Sequence, residues 1–292
     1  QGEHMTVTQD PQTSDAVPTA LGHLKVLEVG EDVGEMCGKM LAGLGADVIR
    51  VEPPEGVATR RIGPFLEDEP HPERSIHFWH YNINKRSVTL NLDEPCGQAL
   101  FRRLAARMDI LVESMPPGYM DERGLSYEDL QSVNPRLVYV SISAFGREGP
   151  HSGLKGGDLV AWAASGYMYT TGWAWHPPTR PWARQAAHAG CTYAVSAALG
   201  AVFSRRRSGR GQHVDISLQE AVASTVEQDV AFYVGDKIVS GRRSNDHVNT
   251  FGTAKIIRCK DGWAHLMMGW RQGRNRIVEW MAEEEMAGDL IN

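Results

Sequence analysis

The feature that most narrows the folds open to this chain is a strand–helix–strand unit near its start. Leu24-Lys-Val-Leu-Glu-Val29 is a short apolar run ending at Gly30. A helical stretch over about 34–44 follows, and then a second run, Ala46-Asp-Val-Ile-Arg-Val-Glu52. Strands joined this way lie parallel in one sheet, with a crossover that is nearly always right-handed. The alternation continues. Residues 84–92, 109–113 and 135–143 read as strands, and 95–107 and 127–131 as helices. The run 135–143 is almost continuously apolar, as a parallel strand covered on both faces must be. The fold class is therefore α/β, with a Rossmann-like parallel sheet.

The linking segments carry the rest of the reading. Gly30, Gly34 and Gly38 do not fit G-x-G-x-x-G, although Glu52 stands where a ribose-binding acid would, so a nicotinamide-dinucleotide site is only weakly signalled. Residues 53–80 read as a long loop of Pro, Glu and Arg with an aromatic tail, of the kind that covers a cleft. Residues 146–158 are glycine-rich and flexible, and 159–168 read as a helix before the turn Thr170-Thr-Gly172. A small-residue helix over 189–203 ends in Arg205-Arg-Arg207, cations that suit a helix C-terminus. A Ser-Gly-Arg-Gly-Gln turn, an alternating strand at 213–217 and a helix from Leu218 to about 234 come next. Residues 240–251 are polar and read as mobile. Residues 253–267 read as a hairpin turning at Asp261-Gly262, followed by Met268-Gly-Trp270 and a closing helix over 275–286.

Composition removes several function classes. A net charge of −6 in 292 residues argues against a nucleic-acid binder, whose affinity comes from concentrated Lys and Arg. Cys37, Cys96, Cys191 and Cys259 are widely spaced, which suits reduced thiols better than a metal site or a disulfide framework. No apolar run approaches the roughly 20 residues needed to span a bilayer, and the polar start lacks a signal-peptide core. Gln1-Gly-Glu-His-Met5 reads as a cleaved-tag remnant, with the native start at Met5, and residues 6–20 as a flexible leader. These features together predict a cytoplasmic protein.

Six segments, taken in order, resemble one family. They are Leu24-Lys-Val-Leu-Glu-Val29, Leu44-Gly-Ala-Asp-Val-Ile-Arg-Val-Glu-Pro53, Asn84-Lys-Arg-Ser-Val-Thr-Leu-Asn-Leu92, Val112-Glu-Ser-Met-Pro-Pro-Gly118, Asn134-Pro-Arg-Leu-Val-Tyr-Val-Ser-Ile-Ser143 and Arg207-Ser-Gly-Arg-Gly-Gln212. The family is the class III coenzyme A transferases, which includes formyl-CoA transferase, the carnitine and bile-acid CoA-transferases and α-methylacyl-CoA racemase. The resemblance implies a large CoA-binding domain over 21–225, the start of a smaller α+β domain over 226–292, and a dimer of interlocked rings. Family chains run past Asn292, so the rest of the small domain is expected beyond it. CoA is expected along the C-terminal edge of the sheet. The carry-over falls on Asp32 and Val33, on Leu90, Asn91, Leu92 and Asp93, on Ser114, Met115 and Pro116, and on Leu154 with Lys155. Lys85, Arg86, Arg123 and Lys155 are candidate phosphate cations, because anions need fixed positive charge. Pro53 and Glu122 stand where the family often has phosphate-contacting basic residues.

The family's transferases use a nucleophilic aspartate, which attacks the acyl-CoA thioester and then carries CoA as an aspartyl thioester. Alignment on Ala189-Gly190 and Gly209-Arg-Gly-Gln212 puts that position at Ala187, whose methyl cannot do this chemistry. His188 can serve as a base near neutral pH. Asp158 matches an acid often found near the nucleophile, and it also suits an N-cap for the helix that follows. Gly157 stands where a racemase-type histidine would, which disfavours racemase chemistry. The resemblance is closest to the benzylsuccinate CoA-transferase branch, where a partner chain supplies the aspartate; the Trp280–Leu290 tail resembles it too. Three functions follow. The chain is the non-nucleophilic subunit of a hetero-oligomeric transferase, an acyl-CoA enzyme using Asp158 or His188, or an acyl-CoA-binding protein without catalysis. The expected partners are acyl-CoA, a carboxylic acid and a homologous subunit in a homo- or heterodimer. Met168, Trp173, Trp175 and Trp182 hint at a bulky acid, though aromatics near turns more often pack than bind.

Overall fold

The computed structural model describes residues 19–30, 32–242, 254–267 and 271–291. The segments read as a tag remnant (1–5) and, up to residue 18, as a leader, together with the polar stretch over 243–253 and Met268-Gly-Trp270, lie outside the described residues.

The chain divides into two units, one comprising residues up to 165 with 181–225, the other 166–180 with 226–292. Residues 166–180 thus group with the second unit. The first unit is a six-stranded parallel sheet. Its elements in chain order are β1 (Lys25–Gly30), α1 (Glu35–Gly43), β2 (Asp47–Glu52), α2 (Ile76–Asn82), β3 (Lys85–Thr89), α3 (Pro95–Ala105), β4 (Ile110–Ser114), α4 (Tyr127–Val133), β5 (Val138–Ser143), α5 (Asp158–Ala164), then, after α6 (Tyr167–Thr170) of the second unit, α7 (Gln185–Ser208), β6 (His213–Ser217) and α8 (Leu218–Ala223). The strand order is β3-β2-β1-β4-β5-β6. That is the doubly wound order, which reverses between β1 and β4. The burial pattern explains the sequence pattern. β4 is buried at every residue, whereas the edge strands β3 and β6 are partly exposed, β6 in alternation.

α7 packs on one face of the sheet, against β5 and β6, with α1, α5 and α8 beside it. On the other face Phe101 of α3 and Leu130 of α4 close a core with Leu27, Leu111 and Tyr139. α7 begins four residues earlier than the small-residue pattern predicts and runs to Ser208, where Gly209 takes the left-handed C-cap (φ 72°). By length and mean hydropathy it is long and apolar enough to cross a membrane, contrary to the reading from apolar runs. Half of its apolar window is buried inside the fold, however. Buried Arg205 ties its last turn to the sheet, donating to the carbonyls of Asp109 and Arg136 and to Asp109 Oδ1.

Other predicted elements differ, among them the helix read from Leu218 to about 234, which breaks into Leu218–Ala223 and Glu227–Asp236 around a 3-10 turn at Ser224–Val226. The 53–80 loop contains α2, because Ser75 caps it by accepting the Phe78 amide (3.0 Å) and anchors it by donating to the Ile62 carbonyl (2.6 Å). The helix predicted over 159–168 stops at Ala164, because Gly166 adopts φ 85°.

The second unit contains α6, α9 (Glu227–Asp236), a hairpin of β7 (Ala254–Arg258) and β8 (Trp263–Met267), and α10 (Arg271–Glu283). The hairpin turns through Asp261-Gly262, with the Cys259 amide donating to the Gly262 carbonyl (3.0 Å). Trp173 stacks on Trp175 and meets Trp263, at centroid distances of 5.1 and 6.0 Å.

Candidate functional site

Three places in the first unit concentrate polar chemistry. The first is a pocket of about 520 Å³ at the C-terminal edge of the sheet. Val29 and Gly30 of β1, Val51 of β2, residues 90–93 after β3 and Met115 after β4 form its floor, and the 53–62 segment forms its wall. Open α/β sheets bind ligands at this edge, beside the point where strand order reverses. Of the residues expected there, Asp32, Leu90, Asn91, Leu92, Asp93 and Met115 line the pocket. Ser114 lies just beneath; a Cβ at Gly30 or Gly34 would come within 3 Å of its hydroxyl, so both glycines exist to let the β1–α1 turn pass. Val33 is half-buried with its carbonyl accepting from Cys191 Sγ (3.2 Å), and Pro116 is exposed, its carbonyl accepting the Tyr119 amide (3.0 Å).

The candidate cations separate. Arg123 stacks on the Tyr119 ring (3.5 Å) and its Nε donates to Asp93 Oδ1 (3.1 Å), which puts it at the pocket rim. Lys155 is exposed, outside the lining. Lys85 and Arg86 open β3 and so stand at the opposite edge of the sheet. Arg86 is bound to Asp47 (2.7 Å). Lys85 is buried, donating to Glu28 Oε1 (2.9 Å), the Glu35 carbonyl (2.8 Å) and Asn82 (3.0 Å).

Lys85 belongs to the second place, a buried charge cluster under α1. Arg50 pairs with Glu28, and with Glu35 at 2.8 Å; Thr59 donates to Glu35 Oε1 (2.7 Å). Two cations meet two carboxylates, so the cluster is neutral overall, which burial demands. Desolvation pushes Glu35 up and Lys85 down, against the pull of their partners. Gly38 of α1 admits it, because a Cβ there would fall 1.5 Å from Glu28 Oε2.

The acid at the end of β2 is committed. Burial raises the Glu52 carboxyl, but hydrogen bonds from Arg60 (2.6 and 2.8 Å) and Ser87 (2.5 Å), and the Arg60 charge, outweigh it and hold the group at about 2. A carboxylate so enclosed is not presented to a ribose diol. It latches the 53–62 segment instead. Arg60 and Arg61 escaped sequence reasoning; the only signal was an adjacent arginine pair in a loop otherwise rich in Pro and Glu.

The third place is the start of α7. Ala187 is buried in its first turn, and the Ala186 and Ala187 amides donate to Asp158 Oδ1 at 2.8 and 3.2 Å. Asp158, the first residue of α5, therefore satisfies the open N–H groups of α7, an N-cap supplied by another helix. His188 Nε2 lies 2.8 Å from the Tyr81 hydroxyl. Burial pushes the His188 imidazole below the ordinary histidine value, with Asp158 opposing and His80, Lys39 and Arg184 reinforcing. Arg184 pairs with Asp32, which joins this place to the pocket.

A doubly wound sheet with a pocket at the switch-point edge and a small-residue helix start beside it defines an α/β ligand-binding scaffold. Comparison with known proteins makes that specific. The profile of CoA-transferase family III matches residues 21–290, and the chain belongs to that family. Among similar proteins, the succinyl-CoA:(R)-benzylsuccinate CoA-transferase subunit BbsE of Thauera aromatica is 38% identical over 266 residues, 89% of this chain and 63% of that one. The succinyl-CoA–D-citramalate CoA-transferase of Chloroflexus aurantiacus is 33% identical over 281 residues, 95% of this chain and 68% of that one. The crystal structure of a CAIB/BAIF family protein from Brucella suis superposes with a TM-score of 0.81 at 31% identity, covering 92% of this chain and 70% of that one. The chain thus spans less than two thirds of the length of the first of these relatives.

Proposed function

We propose that this chain is the CoA-binding, non-nucleophilic subunit of a class III CoA transferase that works as a hetero-oligomer. One observation carries the reading: the position aligned with the family's nucleophile is Ala187, buried in the first turn of α7, with no carboxylate of its own. The 38%-identical relative named as a subunit supports it. In this reading the pocket at the C-terminal edge holds CoA or acyl-CoA through Asp32, residues 90–93 and Met115, with Arg123 at the rim. A homologous partner subunit provides the aspartate. Its carboxylate attacks the thioester carbonyl, CoA thiolate leaves, and the thiolate then attacks the aspartyl carbonyl of the anhydride, releasing the donor acid and forming the aspartyl thioester. The acceptor carboxylate attacks that thioester, and the thiolate it expels attacks the acceptor's acyl carbonyl in the new anhydride, which frees the aspartate and gives the new acyl-CoA. Asp158 is occupied with the α7 amides and serves the helix start. The free thiols of Cys37, Cys96, Cys191 and Cys259 suit a reducing, cytoplasmic setting.

The position of His188 favours one second reading, an acyl-CoA enzyme in which the neutral imidazole acts as a base. The experiment that separates the two is transfer from an acyl-CoA thioester to a free acid. The chain alone is expected to be inert, and active when supplied with a homologous subunit carrying aspartate at the aligned position. Transfer by the chain alone overturns the first reading. If an Ala187→Asp variant stays inert toward acyl-CoA, the position is more than a deleted nucleophile.

A further inference from the structure

The charge around the pocket is uneven. Its lining carries the carboxylates of Asp32, Glu55 and Asp93 and a single guanidinium among the described residues, that of Arg61. Arg184 neutralises Asp32 and Arg123 neutralises Asp93, both from outside the lining. Arg61 differs. It is exposed, its Nη2 donates to the Glu55 carbonyl (2.7 Å), and among the described residues its other N–H groups have no protein acceptor.

The segment beneath holds Arg61 in place. Arg60 is spent on Glu52 and Glu73 (2.9 Å) and lies 3.9 Å over the Phe78 ring, so the adjacent residue is set at the wall rather than left on a free loop. A guanidinium with spare donors facing a largely apolar cavity matches a ligand with an aromatic base and a phosphate, since arginine binds phosphate through parallel hydrogen bonds. Pro53 of the lining carries no charge, and Glu122 at the rim is an acid beside Arg123.

We propose that Arg61 is the phosphate-binding cation of this pocket, a specificity residue for the phosphorylated end of CoA, and that Arg60 is its positioning residue. This rests on the CoA reading above. The phosphate is either the ribose 3′-phosphate or the pyrophosphate, which share the chemistry that arginine recognises.

Calorimetric titration of CoA and 3′-dephospho-CoA into the wild-type chain and into Arg61→Gln and Arg61→Lys variants tests it. Arg61→Gln is expected to bind CoA about tenfold more weakly, the scale of one charge-assisted hydrogen bond, while Arg61→Lys keeps part of the affinity and both variants keep the wild-type melting temperature. A loss that disappears with 3′-dephospho-CoA assigns the 3′-phosphate; a loss that persists assigns the pyrophosphate. Wild-type affinity in Arg61→Gln overturns the assignment of Arg61 and leaves the CoA reading standing. Failure of the wild-type chain itself to bind CoA overturns both.

Discussion

The pocket at the sheet edge and the start of α7 are joined through the Asp32–Arg184 pair, yet they are equipped very differently. The pocket has a shaped wall, a latched segment and a spare cation. The helix start has its first amides capped by Asp158 and a buried methyl, that of Ala187, at its third residue. The contrast teaches that two neighbouring parts of one scaffold can be equipped independently, one as a cavity and the other as a capped helix start. Each can change its side chains while the other keeps its geometry, because the sheet and its buried charges hold both.

The sharpest way to break the comparison is to attack what the two regions share. Arg50→Ala leaves Glu28 and Glu35 buried without their main cation, and it is expected to cost about 3–5 kcal/mol, the scale of breaking a buried ion pair from one side. Urea denaturation measures it. Adding Glu28→Gln and Glu35→Gln should recover part of the loss, and full stability in Arg50→Ala alone would mean that the cluster is not the common frame.

Ala187→Asp probes the helix start. The new carboxylate is buried next to Asp158, so desolvation and like charge raise its pKa above the unfolded value. A group with a raised folded pKa is tolerated below its unfolded pKa and destabilises as pH rises through the folded one. The variant should therefore lose about 2 kcal/mol at pH 7.5 and much less at pH 4.5, each measured against wild type. An equal loss at both values would point to crowding rather than charge.

Arg60→Ala probes the pocket wall with a smaller effect, about 1–2 kcal/mol for a charge-assisted pair that is partly exposed. Glu52 is held at about 2, below its ordinary 4.5. Its contribution is present above pH 4.5 and is lost as pH falls toward 2. Removing Arg60 should flatten this acid limb of the stability profile, and an unchanged limb would show that Ser87 and the backbone alone hold the carboxylate.

The same division governs what was legible in the sequence. The parallel sheet could be read because β1, β4 and β5 bury whole apolar runs, and the pocket floor followed from where those strands end. The proposed vacancy at Ala187 is read from the sequence alone, by its distance from Gly209. Side-chain destinations were not legible. Lys85 and Arg123 look alike as basic residues in the sequence, but Lys85 meets Glu28 two strands away, whereas Arg123 meets a ring four residues back and Asp93 at the rim. Asp158 suits a cap for its own helix by spacing, and only packing brings it to the first turn of α7. α2 was hidden because its cap, Ser75, gains its partners from residues 59 and 62.

The smallest expected effect tests whether His188 is part of the chemistry left at the helix start. Its imidazole should titrate below the ordinary value of 6.5 in proton-detected NMR, because burial disfavours the cation. Tyr81 is the 2.8 Å neighbour of Nε2. If the phenol donates to Nε2, it stabilises the neutral ring, and Tyr81→Phe raises the midpoint by a few tenths of a unit, the scale of a modest hydrogen bond. If the imidazole donates to the phenol oxygen instead, the cation keeps that bond and the midpoint falls in the variant. A rise means that Nε2 is the unprotonated nitrogen, the state a base requires, with the Tyr81 phenol as its donor in the wild type; a fall leaves a proton on that nitrogen and makes His188 a structural partner of α2.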